Sequence, residues 1–401
     1  MTDKPLLLIL LTVAPGIFVG SYWFGAISLT LTLTLTLSLV LASLVCSLVF
    51  PSRNAVSSAF LLLASFFLGM MLVTNSIQRG STPTVSPPFI DEMEEYMSGK
   101  REAMLQTYRD AGLNEDVYGV VAAMTLGERS AVSQPLKSAY NVSGVSHVFA
   151  LSGMHLAIIF GFISLMLPVR IFPRSSALVQ ILFLWSFVFL VGIHPSILRA
   201  AVMFTFYALC RILSRAAQSI DVLILTAFLL LVFNPQWLFD VGFQMSFMAM
   251  VGILLLCGRL QRLVRAPRSY LVGILAVTLS ANLGTLPLIA LYFGRVSCYG
   301  LLANLVVSPC TFLILLLSLT LQVLSIFLCA NSTVVHFTVQ ILNGTVSLMN
   351  SFVRWLSSLP GASIEGISLT ASQTILVYVV IAAIILVARH VRHGLRLRLH
   401  D

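Results

Sequence analysis

The chain has 401 residues, of which 58% are hydrophobic and 9% charged, and its mean hydropathy is +1.00. Soluble domains carry about 25% charged residues, so this composition cannot cover a core with a water-facing surface, and lipid must be the solvent. The net charge of +9 decides less than its placement, because basic residues orient a membrane protein by the side on which they lie.

The apolar runs are each about 20 residues long, the length of a membrane-crossing helix, and the short alternating segments of a β-barrel are missing. This predicts an all-α, polytopic helical integral membrane protein of about 10–12 transmembrane helices, some of them broken. The first run, 5–24, follows Lys4 and has no small-x-small cleavage site, so it reads as an uncleaved first helix. The second, 26–50, alternates Leu and Thr from Leu29 onward. Alternation in water suggests a strand, but within a long apolar run it reads as helix, with each threonine bonding back to the preceding turn. Pro51 and Arg53 end it, and a third run covers 55–76.

Composition then changes. Residues 77–142 contain 9 of the 14 acidic residues, too many for a hydrocarbon environment. Ser81 to Pro88 is linker-like, 90–108 has the pattern of an amphipathic helix, and Ala111-Gly112 ends it. The apolar runs resume at 146–169, 175–193, 195–213, 219–234, 236–258, 269–292, 298–329, 333–357 and 371–389. With the first three these make twelve crossings, Pro309 interrupting one of them. The predicted organisation is N-terminal transmembrane helices over 1–76, a small helical extracytoplasmic segment over 77–142, a transmembrane channel-type domain over 143–389 and a basic tail over 390–401.

With the N-terminus in the cytoplasm and the runs alternating sides, cytoplasmic connections hold 14 of the 23 Lys and Arg, among them Arg53, Arg170, Arg174, Arg259 and Arg262. The short outer loops keep mainly Arg295 and Arg354. This positive-inside bias places 77–142 outside and both termini in the cytoplasm, with the tail from Arg389 also meeting anionic lipid. The six cysteines, Cys46, Cys210, Cys257, Cys298, Cys310 and Cys329, lie in or beside apolar runs and form no Cys-x-x-Cys pair. They read as small buried apolar residues, so no disulfide framework, metal site or cofactor is expected.

Polar groups concentrate at the start of one apolar run. Between Ser143 and Phe160 stand two histidines, His147 and His155, together with Ser143, Ser146, Ser152, Gly144 and Gly153. On a continuous helix the two histidines would lie ~12 Å apart, too far to share a metal, and a break at Ser152-Gly153 would bring them closer. The functional reading is a polar constriction; the structural one is interhelical bonding through Ser and Gly. Arg199, Asp240 and Gln244 also lie within or beside apolar runs. Arg199 with Asp240 is the favoured ion pair, since buried charges in lipid pair with each other, and a phosphate contact by Arg199 is the alternative. Gln244 and Ser246 either line a cavity or bond between helices. Gly284, Pro287, Asn304 and Pro309 look like helix breaks, tolerated where the freed backbone is buried or wet, and Arg295 lies at the outer mouth.

These features occur in a recognisable order. Leu126-Gly127-Glu128-Arg129 and Ala139-Tyr140 precede the histidines. Arg199-Ala200-Ala201, Asn234-Pro235, Phe239-Asp240-Val241-Gly242-Phe243-Gln244-Met245-Ser246-Phe247, Leu283-Gly284-Thr285-Leu286-Pro287, Tyr292-Phe293-Gly294-Arg295 and Gly300-Leu301-Leu302-Ala303-Asn304 follow. In order and spacing, roughly over 120–330, they resemble the competence domain of the ComEC family, the inner-membrane DNA channel of natural transformation. The resemblance implies a multi-pass protein of the cell inner membrane that translocates single-stranded DNA into the cytoplasm. It implies partnership with a DNA receptor and with a cytoplasmic translocation ATPase, and it leaves a homo-oligomer open. His147, Ser152, Gly153 and His155 match the family's histidine and serine-glycine positions and, with Gln244, Ser246, Asn304 and Arg295, are the expected DNA path. Larger members add an OB-like and a metallo-β-lactamase-like domain. Here 77–142 is too short and too helical for the former, and no His-x-His-x-Asp-His motif occurs, so a channel without nuclease activity is expected. The alternatives are a secondary transporter of a small solute, for which no inverted repeat is evident, and an intramembrane serine hydrolase, for which the Gly-x-Ser-Gly of rhomboid proteases is missing because Ala150-Leu151 precede Ser152.

Overall fold

A computed structural model describes residues 5–22, 32, 34–40, 54–79, 88–167, 171–192, 195–214, 218–263, 270–327, 332–381 and 383–384. The apolar runs within it are helices. Without water, backbone polar groups must be satisfied inside the segment, and the hydroxyl residues assist. Thr36 Oγ1 donates to the Thr32 carbonyl at 2.7 Å, and residues 34–40 of the Leu-Thr run are helical. Thr125, Thr205, Thr226, Ser280 and Ser318 each bond back four residues in the same way.

Among the described residues, four helices are long and apolar enough to cross a membrane: Pro173–Val191, Val241–Arg262, Leu271–Phe293 and Gly300–Phe327. Shorter apolar helices occupy Ile9–Tyr22, Leu62–Ile77, Gly153–Met166, Ser219–Phe233 and Ala371–Ile381. Helices Pro195–Ile212 and Thr333–Ser357 account for two further runs. Most of the 26–50 run, Cys46, Cys329 and the basic tail fall outside the described residues. Cys210, Cys257, Cys298 and Cys310 are free thiols.

The chain divides into two compact units, each drawn from three segments. The first comprises 1–133, 147–247 and 309–348. In it helix Pro5–Tyr22 lies against helix Asn54–Arg79. A Cβ at Gly16 would collide with the Phe66 carbonyl and one at Gly69 with the Val13 carbonyl, so glycine is what lets the two backbones touch. Val13, Ile17, Val73, Val202, Leu230 and Phe243 are buried in one cluster. A second cluster joins Leu151, Leu156 and Ile159 to Leu184, Phe187, Val188, Ile197 and Ala201.

The acidic segment of this unit is helical. Pro88–Asp110 turns at Gly112, which has a left-handed φ of 77°, into Glu115–Leu126. Glu115 and Asp116 occupy the first turn of the latter, where the helix dipole favours carboxylates. Val117 and every residue from Gly119 to Leu126 are buried. The sequence pattern did not separate this second helix from the loop, because a helix buried all round shows no apolar stripe.

The second unit comprises 134–146, 248–308 and 349–401. Tyr140 Oη donates to Asn350 Oδ1 at 2.7 Å, and Ser143 Oγ to the Val353 carbonyl at 3.2 Å. Strand Arg295–Ser297 pairs antiparallel with Ser363–Glu365, placing Arg295 opposite Glu365. This small ribbon interrupts the otherwise all-α architecture.

The expected breaks at Gly284, Pro287, Asn304 and Pro309 are corrected here. Helix Tyr270–Phe293 runs through Gly284 and Pro287, and helix Gly300–Phe327 through Asn304 and Pro309. A proline removes one N–H; ending the helix would free several backbone groups where no water can take them. Beside Pro287, Tyr378 Oη donates to the Gly284 carbonyl at 2.7 Å. Irregularity appears instead at Ile253–Cys257, a π-helical turn following Gly252. A Cβ at Gly252 would collide with the Ser280 carbonyl, so the backbones of the two helices meet at the start of that turn.

Candidate functional site

The 146–169 run is not one helix. A 3₁₀ turn covers Ser146–Phe149, the chain is extended at Ser152, and the helix begins at Gly153. The break at Ser152-Gly153 is therefore present, and it puts the two histidines on different elements. His147 is exposed, whereas His155 is buried at 1% exposure. His155 occupies the third position of the helix. Its Nδ1 accepts from the Ser152 backbone N–H at 3.3 Å and lies 2.9 Å from Ser152 Oγ. An N–H aimed at Nδ1 requires a lone pair there, so the ring proton sits on Nε2. Nε2 is buried and completes no hydrogen bond, although the Val148 carbonyl acts on the ring.

This is a helix start in which the third residue reaches back to its cap.

The turn is buttressed by the loop after helix Glu115–Leu126. Gly127 caps that helix with a left-handed φ of 75°. A Cβ there would push against Leu151 Cδ1 at 2.8 Å, so any other residue would be strained by the backbone and would have to shift the Leu151 side chain. Glu128 accepts from Arg101 Nη2 at 2.5 Å and from the Ser130 backbone N–H and hydroxyl. Arg129 Nε donates to the Phe149 carbonyl at 3.0 Å. The Leu-Gly-Glu-Arg motif and the histidine stretch, separate in sequence, thus form one structural feature within the first unit.

The Ser130 hydroxyl, and then Arg101, hold the Glu128 carboxyl below the ordinary value of 4.5. A depressed folded-state pKa stabilises above the unfolded value, and that contribution is lost as pH falls through the folded one. At pH 7 Glu128→Gln should therefore lower the thermal midpoint of the purified protein by a degree or two, corresponding to about 0.5 kcal/mol for a partly exposed pair. The gap to the unsubstituted protein should close as pH is lowered well below 4.5. A gap that persists there would assign the effect to shape rather than charge.

Arg199 lies on helix Pro195–Ile212 at 2% exposure. The expected partnership with Asp240 takes no direct form: among the described residues the two make no salt bridge, with no Arg199 nitrogen within 4.0 Å of an Asp240 carboxylate oxygen. Arg199 donates to the Gly242 carbonyl at 3.4 Å and to Ser196 Oγ at 3.3 Å, and its guanidinium lies 5.3 Å from the Phe247 ring centroid. Asp240 acts on it electrostatically from nearby, while its own Oδ1 accepts the Phe243 backbone N–H at 2.7 Å. The reason is local. Asp240 precedes helix Val241–Gly252 and is used as its cap, which turns the following carbonyl, not the carboxylate, to Arg199.

Gln244 Nε2 donates to the Leu238 carbonyl at 2.9 Å, and Ser246 is half-buried on the same helix. In the second unit, Asn304 is buried at 7% exposure and Arg295 is half-buried on the ribbon. Sequence reasoning missed a further polar chain in the first unit: Arg211 Nη2 donates to Gln180 Oε1 at 2.6 Å, and Gln180 Nε2 to Ser164 Oγ at 2.7 Å. A glutamine inside the 175–193 run was the available signal. Among the described residues no group of three or more His, Cys, Asp and Glu is placed to hold a metal ion.

Fold and site define a polytopic helical membrane protein whose polar groups gather where a helix starts beside an acidic helical segment. Residues 124–391 match the family described as Competence protein, and the chain belongs to this family, the ComEC family. ComE operon protein 3 of Bacillus subtilis (strain 168) is 31% identical over 204 residues, covering 51% of this chain and 26% of that protein. An uncharacterized protein of Aquifex aeolicus (strain VF5) is 29% identical over 213 residues, covering 53% of this chain and 49% of that one. The alignments thus span half or less of these curated relatives. No solved structure matches.

Proposed function

We propose that the chain conducts single-stranded DNA across the cytoplasmic membrane during natural transformation, without hydrolysing it. The observation that supports this best is the polar helix start at 146–155, buttressed by the Leu-Gly-Glu-Arg loop, inside the region that matches the competence family. A strand stripped of water in bare hydrocarbon would lose its phosphate hydration at large cost. Neutral imidazole and hydroxyl groups donate to phosphate oxygens without the fixed charge that would trap the strand, and a path must release what it binds. In the first unit the proposed path residues are His147, Ser152, Gly153, His155, Gln244 and Ser246; in the second they are Asn304 and Arg295. The proposed partners are a DNA receptor outside, a translocation ATPase inside and the surrounding lipid.

The test is uptake of labelled DNA by a strain lacking the gene. The expected result is label that reaches the cell surface, or the periplasm where there is one, but not the cytoplasm, with delivery restored by the full chain. Unimpaired cytoplasmic label would sink the reading. The charge bias further assigns 77–142 to the outer side and the basic tail to the inner one. Reporter fusions at Ser81 and after Asp401 should therefore report opposite sides, and agreement between them would refute the proposed orientation.

A further inference from the structure

We infer that Arg129 is a phosphate-contacting residue of the path, gripping the strand with its two terminal guanidinium nitrogens while its Nε–H holds the turn that carries His147. The inference rests on the reading of the chain as a conductor of single-stranded DNA and adds to it a binding residue and the chemistry that residue recognises.

Three observations converge. First, Arg129 is anchored: Nε donates to the Phe149 carbonyl at 3.0 Å, two residues beyond His147. This fixes the plane of the guanidinium, so little of its rotamer freedom remains to be lost when it binds. Second, the other edge of the guanidinium is open. The side chain is exposed, and Nη1 and Nη2 make no hydrogen bond or ion pair with any described residue. The adjacent acid does not neutralise it, because Glu128 is bonded to Arg101 and to Ser130. Third, exposed His147 lies on the turn that Arg129 holds, so a ring donor and a charged fork share one small surface.

Two parallel N–H groups with a full positive charge suit the paired oxygens of a phosphate. The helical segment around them is acidic. Between 88 and 133 there are nine Asp and Glu against four Lys and Arg, a net charge of −5. Nonspecific adhesion of DNA to the segment is thereby discouraged, and a lone uncompensated guanidinium beside a histidine becomes the point at which a phosphate is favoured.

Phosphate is carried by DNA and by lipid headgroups alike, so the experiment separates them. The full chain in nanodiscs is titrated with a fluorescent oligothymidylate across a range of salt concentrations. Arg129→Gln should weaken binding several-fold and flatten the log–log salt slope by about 0.7, the value for one single-strand phosphate contact. Arg129→Lys loses the Nε anchor but keeps the charge, and should retain most of the slope. Lys100→Gln, a cation elsewhere on the segment and not assigned to the path, is the control and should match the unsubstituted protein. Thermal midpoints measured alongside show whether the variants are folded.

An unchanged slope for Arg129→Gln, while the unsubstituted protein binds DNA, would overturn the inference and leave the conductor reading standing. Equal losses of slope for Gln and Lys would assign Arg129 to the turn alone and overturn it as well. An unchanged slope accompanied by loss of co-purifying phosphatidylglycerol from Arg129→Gln would make the site a headgroup site. Failure of the unsubstituted protein to bind DNA would remove the conductor reading and this inference together.

Discussion

His147→Ala is expected to lower cytoplasmic delivery of labelled DNA about ten-fold or more while leaving the amount of protein in the membrane unchanged. His155→Ala is expected to lower both. The two histidines sit eight residues apart but differ in what surrounds them. His147 is exposed on a 3₁₀ turn, so truncating it removes a donor without opening a cavity. His155 is 1% exposed and accepts the Ser152 N–H. Truncation there leaves a helix-start N–H without its partner and a void the size of a ring. These cost about 1–3 kcal/mol for the unsatisfied group, with a cavity term besides. His155→Asn, which keeps an acceptor of nearly the right reach, should recover part of the stability. Quantitative immunoblots of membranes beside cytoplasmic label separate the two effects. Normal cytoplasmic delivery by an abundant His147→Ala variant would remove that histidine from the path, and full abundance of His155→Ala would remove the capping role.

Arg199→Met should cost about 3 kcal/mol in folded stability, and Arg199→Met with Asp240→Asn should return most of it. Removing one member of a buried charged arrangement leaves the other uncompensated, whereas replacing both is often close to neutral. Arg199 is the buried member, over the Phe247 ring and bonded to the Gly242 carbonyl and Ser196. Asp240 is half-buried and shares no direct bond with it. The expected cost therefore stands at the lower end for broken buried pairs. Asn at position 240 keeps a carbonyl oxygen to accept the Phe243 N–H, so the cap survives the second substitution. Thermal unfolding in detergent measures both variants. A double variant no more stable than Arg199→Met would show that the charge of Asp240 plays no part and that only the Gly242 and Ser196 bonds matter.

Composition and run length were enough to establish lipid as the solvent and helix as the dominant element, because hydrocarbon leaves the backbone few alternatives. The Leu-Thr run shows this: its period suggested a strand, and run length decided correctly for helix where the structure describes it. The family was also legible, since motifs in fixed order survive as residues whatever the packing. Helix continuity was not. Pro287 and Pro309 are breakers in a water-based reading, yet both lie inside helices, because opening the helix would strand more backbone groups than the proline does. The division of the chain into two units, each of three separated segments, lay equally beyond a linear reading.

At the site, sequence identified the polar stretch from Ser143 to His155 through the cost of placing such residues at an apolar run. It could not say which histidine would be exposed and which would be buried at a helix start. That depended on the break at Ser152-Gly153 and on the loop from Gly127 to Arg129 closing on Leu151 and Phe149. Nor could charge alone foresee the partner of Arg199. An Asp just before a helix has a competing use as a cap, and only the fold decides whether carboxylate or carbonyl faces the guanidinium. Pattern in the chain determines what each segment must be in lipid; which polar atoms are satisfied and which are left to meet a ligand depends on contacts between residues far apart in sequence.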